Sequence, residues 1–256
     1  MRIIDGNNLL HRVADRVGGG IHPVREVYNR FYSPPETTII VWDGPYANKR
    51  RKEIFPEYKA TRRPKEESKH QFFEIAKGVL RFTPVIQVEI PGWEADDIIG
   101  TMIDRWHKQY DLVVETNDGD YWQHKDKCFL PLVTKKWHHM SADEALLWKA
   151  TVGEAKDNLK GMKGFGQAAW DRLTDDQKKE LIDICESRGP IGPLKGRFTS
   201  CGLAHSVTSN SNFDAMRMCW RLNKWWPVPL EEIDKHTKVG KSNPQAAEIF
   251  LGNFLL

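Results

Sequence analysis

The chain has 256 residues, 40% of them hydrophobic and 29% charged, with a formal net charge of only +3. That size and composition fit one compact domain, or one with a smaller appendage, and exclude a chain too polar to build a core. No apolar run approaches the roughly 18 residues of a membrane span, and the first residues enter a strand pattern directly, so neither a membrane protein nor a leader peptide is expected.

Arg2-Ile3-Ile4 is a short apolar run that ends on Asp5-Gly6-Asn7-Asn8. Pro23 opens a helix over 23–32, with Val24, Val27, Tyr28 and Phe31 on one face. A second strand, Thr38 to Trp42, ends on Asp43-Gly44. The spacing of Phe72, Ile75, Ala76, Val79 and Leu80 predicts a helix over 71–82, stopped by Pro84, with a short strand over 85–88. Pro91-Gly92-Trp93-Glu94-Ala95-Asp96-Asp97 then leads into a regular stripe of Ile98, Ile99, Met102, Ile103 and Trp106. A further strand starting at Leu112 runs through Asn117 into Asp118-Gly119-Asp120. Phe129 to Val133 is expected to add an edge strand, where proline is tolerated. Strands alternating with helices imply βαβ units and a mostly parallel α/β sheet.

The later part reads differently. Ser141-Ala142-Asp143-Glu144 is a capping box for a helix running through Leu147 and Trp148. A glycine-rich stretch from Gly153 to Gly166 leads into a helix near Ala168; such a turn presents free backbone N–H groups to a phosphate. It follows no strand, which argues against a dinucleotide cofactor. Residues 187–213 read as a long loop and 214–226 as a helix.

Ligands of an open parallel sheet bind beyond the carboxyl ends of its strands. Acids at three strand ends, with Glu94, Asp96 and Asp97 opening a helix beside them, place many negative charges in one crevice. Two unit charges about 4 Å apart repel by roughly 1 kcal/mol in water and about 4 kcal/mol at an effective dielectric near 20. Bound cations would relieve this, and oxygen-only ligands favour magnesium or manganese over zinc. Simple compensation of the helix dipole would explain one acid at that helix start, but three are more than it needs. On the helix, Glu94 and Asp97 flank one edge of the apolar stripe and Asp96 the other.

Residues 49–69 carry nine Lys or Arg against four Glu, a local excess larger than that of the whole chain. A basic stretch beside an acidic metal pocket suits a polyanion, although most charge runs are solvated faces. The four cysteines (Cys128, Cys185, Cys201, Cys219) form no CxxC pair, as expected of reduced thiols in a cytoplasmic protein. His138 and His139 lack a partner motif for zinc.

Taken in order, these motifs resemble the flap endonuclease and 5′-3′ exonuclease family, which includes stand-alone bacteriophage enzymes and the 5′-nuclease domain of bacterial DNA polymerases. The likeness runs from Asp5 to about Trp170. Asp5-Gly6-Asn7-Asn8 with Arg12 resembles the family's first-strand motif. Arg51 to Arg62 matches its R-x-E-x-x-x-x-Y-K-x-x-R arch spacing, and Pro91 to Asp97 its P-G-Y-E-A-D-D stretch, with Trp93 for tyrosine. Asp118-Gly119-Asp120 resembles D-K-D, and Gly153 to Gly166 resembles G-D-x-S-D-N-x-x-G-x-x-G-x-G.

The resemblance implies a PIN-like, Rossmann-like nuclease core over 1–140 with an arch at about 45–80. A helix–hairpin–helix DNA-binding subdomain and C-terminal helical region would follow over 141–256, packed on the core. It implies a two-metal 5′ nuclease acting on DNA 5′ ends, nicks, flaps or single-strand/double-strand junctions, in the cytoplasm of a bacterial or phage-infected cell. Asp5, Asp43, Glu94 and Asp96 would bind or orient the first Mg2+ (Mn2+ substituting), and Asp118, Asp120 and Asp157 the second, with Asp97 and Glu154 outer-sphere or bridging. Arg51, Lys59 and Arg62 would neutralise the scissile phosphate. Arg12, Arg50, Tyr58, Arg63, Lys160, Lys163, Gly164 and Gly166 would contact DNA, with K+ a further expectation at the hairpin. No membrane association is implied, and no protein partner is indicated.

Three departures stand out. Glu154 replaces the family's usual aspartate, Ala168 replaces a hairpin lysine, and the segment between Val133 and Trp148 is short. A PIN-type ribonuclease is the enzymatic alternative, opposed by the glycine hairpin and basic arch. A catalytically silent DNA-structure-binding protein is the other alternative, opposed by the retained carboxylates.

Overall fold

A computed structural model describes residues 1–17, 21–62, 67–134, 138–187 and 209–254. Arg63, Cys201 and most of the loop expected at 187–213 lie outside the described residues. The chain divides into two compact units, one of residues 1–50, 63–133 and 226–256, the other of residues 51–62 and 134–225. A single cut near residue 140 therefore does not describe the organisation: the last thirty or so residues return to the first unit because they complete its sheet.

In the first unit, strands β1 (Arg2–Asp5), β2 (Thr38–Asp43), β3 (Ile86–Ile90), β4 (Val113–Glu115) and β5 (Thr237–Val239) form one sheet in the order β4-β1-β2-β3-β5. The first four are mutually parallel, with Ile3 opposite Ile39 and Val114, and Val41 opposite Val88. The fifth pairs antiparallel with β3, Val88 facing Thr237. The edge strand expected at 129–133 is reduced to a single bridge between Val113 and Phe129. The antiparallel edge comes instead from β5, a polar three-residue strand with no legible period.

Helices α1 (Gly6–Val17), α2 (Ile21–Phe31), α4 (Glu67–Leu80) and α5 (Ala95–Trp106) belong to this unit, and a short helix α3 (Lys49–Ile54) leaves it. Strand β2 is buried from Thr38 to Trp42, as its unbroken apolar run requires of a strand covered on both faces. Gly6 lets α1 start against the Trp42 ring, since a Cβ there would meet it at 2.4 Å. Trp42 meets its polar demand by donating Nε1–H to Gln87 at 3.0 Å. The predicted stripe of α5 is buried through Ile98, Ile99, Met102 and Ile103, so the 3.6-residue period was a sound guide. A C-terminal helix, Pro244–Gly252, sets Phe250 against Gly78 of α4 and the Phe82 ring.

The second unit is helical: α6 (Ala142–Val152), a one-turn helix α7 (Gln167–Trp170), α8 (Asp175–Glu186) and α9 (Asn210–Asn223). The expected capping box is formed, with Ser141 Oγ accepting from the Glu144 amide and the Glu144 carboxylate from the Ser141 amide. Helix α6 packs on α9, and Trp148 meets Trp170 edge-to-face at 5.2 Å between centroids. The helix expected through residue 226 ends at Asn223, and Trp226 already belongs to the first unit.

Candidate active site

The first unit gathers its acids at the carboxyl edge of the sheet. β1 delivers Asp5, which is 7% exposed and accepts from the Asn8 amide at 3.0 Å and the Thr116 hydroxyl at 3.3 Å. β2 delivers Asp43 on the exposed side, where Oδ2 accepts from the Asn7 side-chain amide. Its Oδ1 accepts from the Ala95 amide at 2.8 Å, so Asp43 caps α5 while the local N-cap residue, Glu94, makes no side-chain cap bond. Beyond β4, Asp118 accepts from the Asp120 amide at 2.9 Å and thereby starts a 3-10 turn, Gly119–His124. From that turn the Tyr121 hydroxyl donates to Asp96 at 2.7 Å.

Burial, opposed by the Asn8 amide and reinforced by Asp43 and Asp118, pushes the Asp5 carboxyl up to about 7. Asp96 is held well above the ordinary carboxylate range by burial and then by Asp5, Asp118, Asp43 and Glu94. Five acids from three strands and one helix therefore share one electrostatic neighbourhood. Among the described residues, no group of three His, Cys, Asp or Glu side chains forms a ready-made cage for an ion. Mg2+ keeps several waters while taking only one or two carboxylates directly, so it does not need such a cage. An all-oxygen donor set fits hard divalent cations.

Two residues expected at this site have other commitments. Asp97 is 1% exposed, and its carboxylate accepts from the Trp226 amide at 2.7 Å, pinning the returning C-terminal segment. Arg12, expected on DNA, bonds Asn8 at 3.0 Å and pairs with Glu115 at 3.1 Å. Glu115, buried at the end of β4 and also paired with Arg30, was not singled out from the sequence. Asn7, Thr116 and Tyr121 were likewise missed, although each lies within three residues of a strand-end aspartate. Arg50 is exposed, its guanidinium 3.9 Å above the centroid of Trp93.

Within the second unit, residues 51–62 pack on the loop around Asp157. The Asp157 carboxylate, mostly buried, accepts from Arg62 at 2.5 Å and from the Tyr58 hydroxyl at 3.4 Å, and its carbonyl accepts from the Lys59 amide at 3.0 Å. Asn158, in the left-handed region at φ 61°, donates to the Glu57 carbonyl at 3.1 Å. Glu154 caps the turn Ala155–Asp157 through its backbone position and lies 3.7 Å from Lys149. The structure gives Arg51 a setting unlike the phosphate contact expected of it. It is 4% exposed and donates to the carbonyls of Leu222 at 3.0 Å and Lys224 at 3.4 Å. Tyr58 is equally buried, under the Lys59 ammonium.

The glycine stretch forms a tight loop. Glu154 and Leu159 exchange both backbone hydrogen bonds, and Gly153, Gly161 and Gly164 all have positive φ. Buried Asn212 accepts from the Lys163 amide at 2.8 Å and donates to its carbonyl at 3.0 Å, clamping that peptide. The Lys160 and Lys163 side chains and Gly164 are exposed, and Gly166 is half-buried.

A mostly parallel sheet with acids converging at its carboxyl edge defines a PIN-like α/β domain. The family described as "5'-3' exonuclease, N-terminal resolvase-like domain" matches residues 17–150, just over half of the chain. The chain belongs to that family.

Among similar proteins, thermostable DNA polymerase I of Thermus thermophilus is 26% identical over 193 residues, 67% of this chain and 23% of the polymerase. A 5′-3′ exonuclease of Halalkalibacterium halodurans is 29% identical over 143 residues, 50% of this chain and 47% of that protein. The chain thus spans about a quarter of the polymerase relatives it matches. T5 5′-exonuclease with divalent metal ions (zinc) bound shares the fold over 100% of this chain and 98% of its own, with TM-score 0.60 and 20% identity. The bacteriophage T5 flap endonuclease, in a pseudo-enzyme-product complex with DNA and metal ions, matches at TM-score 0.60 and 19% identity over 99% of this chain and 97% of its own.

Proposed function

We propose that the chain is a magnesium-dependent 5′ nuclease that hydrolyses phosphodiester bonds at DNA 5′ ends, nicks or flaps, in the cytoplasm of a bacterial or phage-infected cell. The observation that carries this reading is the convergence of Asp5, Asp43, Glu94, Asp96 and Asp118 at the carboxyl edge of the sheet, where burial and then neighbouring carboxylates push Asp5 up to about 7 and Asp96 above its ordinary range. Family membership, the basic segment 49–69 and the fold shared with nucleases that bind metal ions support it.

Asp5, Asp43, Glu94 and Asp96, with Asp118 and Asp120, would hold two Mg2+ or Mn2+ ions. Such ions supply charge neutralisation on the phosphoryl oxygens and a lowered pKa for an attacking water. The chain's own residues divide the remaining work. Asn8 and Thr116 fix the Asp5 carboxylate, the Ala95 amide fixes Asp43, and Tyr121 fixes Asp96. Each oxygen is then aimed before substrate arrives, as electrostatic stabilisation of developing charge requires.

For residues of the second unit the roles divide by exposure. Lys59 and Arg62 would meet the phosphate chain. Asp157 would hold segment 51–62 in shape through Arg62, Tyr58 and the Lys59 amide, and Arg51 would anchor its base from the interior. Lys160, Lys163 and the hairpin backbone at Gly164 and Gly166 would hold duplex phosphates without reading sequence, with K+ at the hairpin. Titrating Mg2+ and Mn2+ calorimetrically into the protein and its Asp96→Asn variant, with DNA cleavage followed in parallel, tests the reading. Tight magnesium binding that survives the substitution, or cleavage unaffected by a chelator, would contradict it.

A further inference from the structure

The turn after Asp43 carries a side chain that neither the core nor the carboxylate cluster uses. Gly44 to Ala47 form a β-turn closed by the Ala47 amide donating to the Gly44 carbonyl at 3.1 Å, with Pro45 and Tyr46 at its centre. Tyr46 has φ 57°, the left-handed region that such a turn ordinarily gives to glycine or asparagine. A tyrosine there is strained, and burial returns nothing. Tyr46 is 82% exposed, the most exposed of the large apolar side chains among the described residues. Backbone strain of this kind persists where the surroundings over-determine it, and it clusters at functional sites.

The surroundings do over-determine it. The Gly44 amide donates to the Trp93 carbonyl at 3.0 Å, and the Gly92 amide donates to the Pro45 carbonyl at 2.8 Å. The Lys49 amide donates to the Tyr46 carbonyl at 2.9 Å, at the start of α3. Gly44 presses on β3 so closely that a Cβ would stand 1.9 Å from the Ile90 carbonyl oxygen. The turn is therefore bolted to the loop that leads into Glu94, on which Arg50 stacks over Trp93. Tyr46 lies three residue steps from Asp43, so their Cα atoms are at most about 11 Å apart. A fixed backbone thus presents an aromatic side chain to solvent within one or two nucleotides of any phosphate drawn to the acids.

We infer that Tyr46 is a stacking platform for a nucleobase of the substrate strand, one or two nucleotides from the phosphate at the carboxylate cluster. This rests on the nuclease reading above. A π-face accepts every base, so the platform positions the strand without selecting sequence, and its loss should cost about five- to a hundred-fold in affinity for the stacked end. Tyr46 is a positioning residue: it places the strand, while the acids do the chemistry. Phenylalanine should replace it, since the ring rather than the hydroxyl makes the contact. Glycine suits the turn better than tyrosine, so Tyr46→Gly should leave the fold intact or raise its melting temperature.

The test uses the full chain, its Tyr46→Phe and Tyr46→Gly variants, and flapped or nicked DNA with 2-aminopurine or an abasic site at each of the four nucleotides nearest the cleaved bond. Binding is read by fluorescence in calcium, and cleavage in magnesium. The expected result is quenching at one position in the parent and the Phe variant, lost in the Gly variant together with five- to a hundred-fold in affinity. An abasic site at that position should cost the parent the same factor and the Gly variant almost nothing. Absence of quenching at every position, or equal abasic penalties in parent and Gly variant, overturns the platform even if cleavage proceeds. Absence of cleavage overturns the nuclease reading even if quenching persists.

Discussion

Asp43 and Ala95 join the end of a strand to the start of a helix: the Asp43 carboxylate accepts the Ala95 amide proton at 2.8 Å across 52 residues of sequence. One oxygen of this acid thus serves the fold, and the charge on the group serves the site. Asp43→Asn keeps a side-chain acceptor and should leave stability within about 0.5 kcal/mol while abolishing metal-dependent cleavage. Asp43→Ala removes the cap as well and should cost about 1 kcal/mol more. Denaturant unfolding alongside a cleavage assay checks both, and equal stabilities for the two variants would show the cap to be idle.

Asp118→Asn and Asp120→Asn should each abolish turnover while leaving duplex affinity within a few-fold, because removing negative charge does not weaken contact with a polyanion. Both should also reduce the rise in melting temperature produced by magnesium, since a ligand stabilises the folded state in proportion to its affinity. Near-normal turnover in either variant would misplace the second ion.

Segment 51–62 should separate into a buried half and a working half. Arg51→Ala leaves the buried Leu222 carbonyl and the partly buried Lys224 carbonyl without their charged donor and should destabilise by about 1–3 kcal/mol. Lys59→Ala should barely change stability, whereas Arg62→Ala also breaks the ion pair with Asp157 and should cost up to about 1 kcal/mol. Both should lower turnover on flapped or single-stranded 5′ ends about ten- to a hundred-fold, a loss of about 1.4–2.7 kcal/mol. Their affinity defects should shrink as salt rises, because phosphate contacts release counterions. Unfolding curves and turnover measured over a salt series distinguish the two groups.

In the hairpin, Asn212→Ala strips the buried side-chain partner from both the amide and the carbonyl of Lys163. It should cost about 1–3 kcal/mol and weaken duplex binding together with stability. Gly164→Val forces a β-branched residue to φ 81° and should lower duplex affinity while short single strands are affected far less. Equal losses on both kinds of DNA would mean general disruption of the loop.

His124 provides a pH test away from the acids. Burial, partly offset by Asp104 and followed by a small effect of Lys127, lowers its pKa to about 4; those two facing groups form an ion pair with each other at 2.6 Å. Between about 6.5 and 4 the unfolded chain takes up a proton that the folded chain refuses, so the folded state loses stability as pH falls through that window. The full effect, present below about pH 4, is on the order of 3 kcal/mol and is absent above about pH 7. The stability of the parent relative to His124→Gln, measured by urea unfolding from pH 8 to 4, should decline in that interval. A flat difference would mean that His124 charges freely in the fold.

Much of the site was legible because apolar runs stop where the sheet stops. Asp5, Asp43 and Asp118 follow such runs, and the α5 stripe fixes Glu94 and Asp96 at a helix start. What stayed hidden needed partners distant in sequence. In Lys49-Arg50-Arg51-Lys52 every side chain has the same charge, and it takes partners far along the chain, the Leu222 and Lys224 carbonyls among them, to draw Arg51 into the interior. Asp97 differs from Asp96 by its bond to Trp226, which no local pattern announces. β5 is Thr-Lys-Val, too short and polar to carry a period, so its pairing with β3 becomes visible only in three dimensions. The strain at Tyr46 is a backbone property, and a tyrosine after Gly-Pro does not reveal it.

The most direct measurement is digestion of 5′- and 3′-labelled nicked and flapped duplexes by the parent and by Asp5→Asn, in magnesium and then in chelator. The expected result is release of short products from the 5′ label, absent in chelator and in the Asp5→Asn variant. Cleavage proceeding from 3′ ends, or equal activity of the Asp5→Asn variant, would contradict a 5′ nuclease built on these carboxylates.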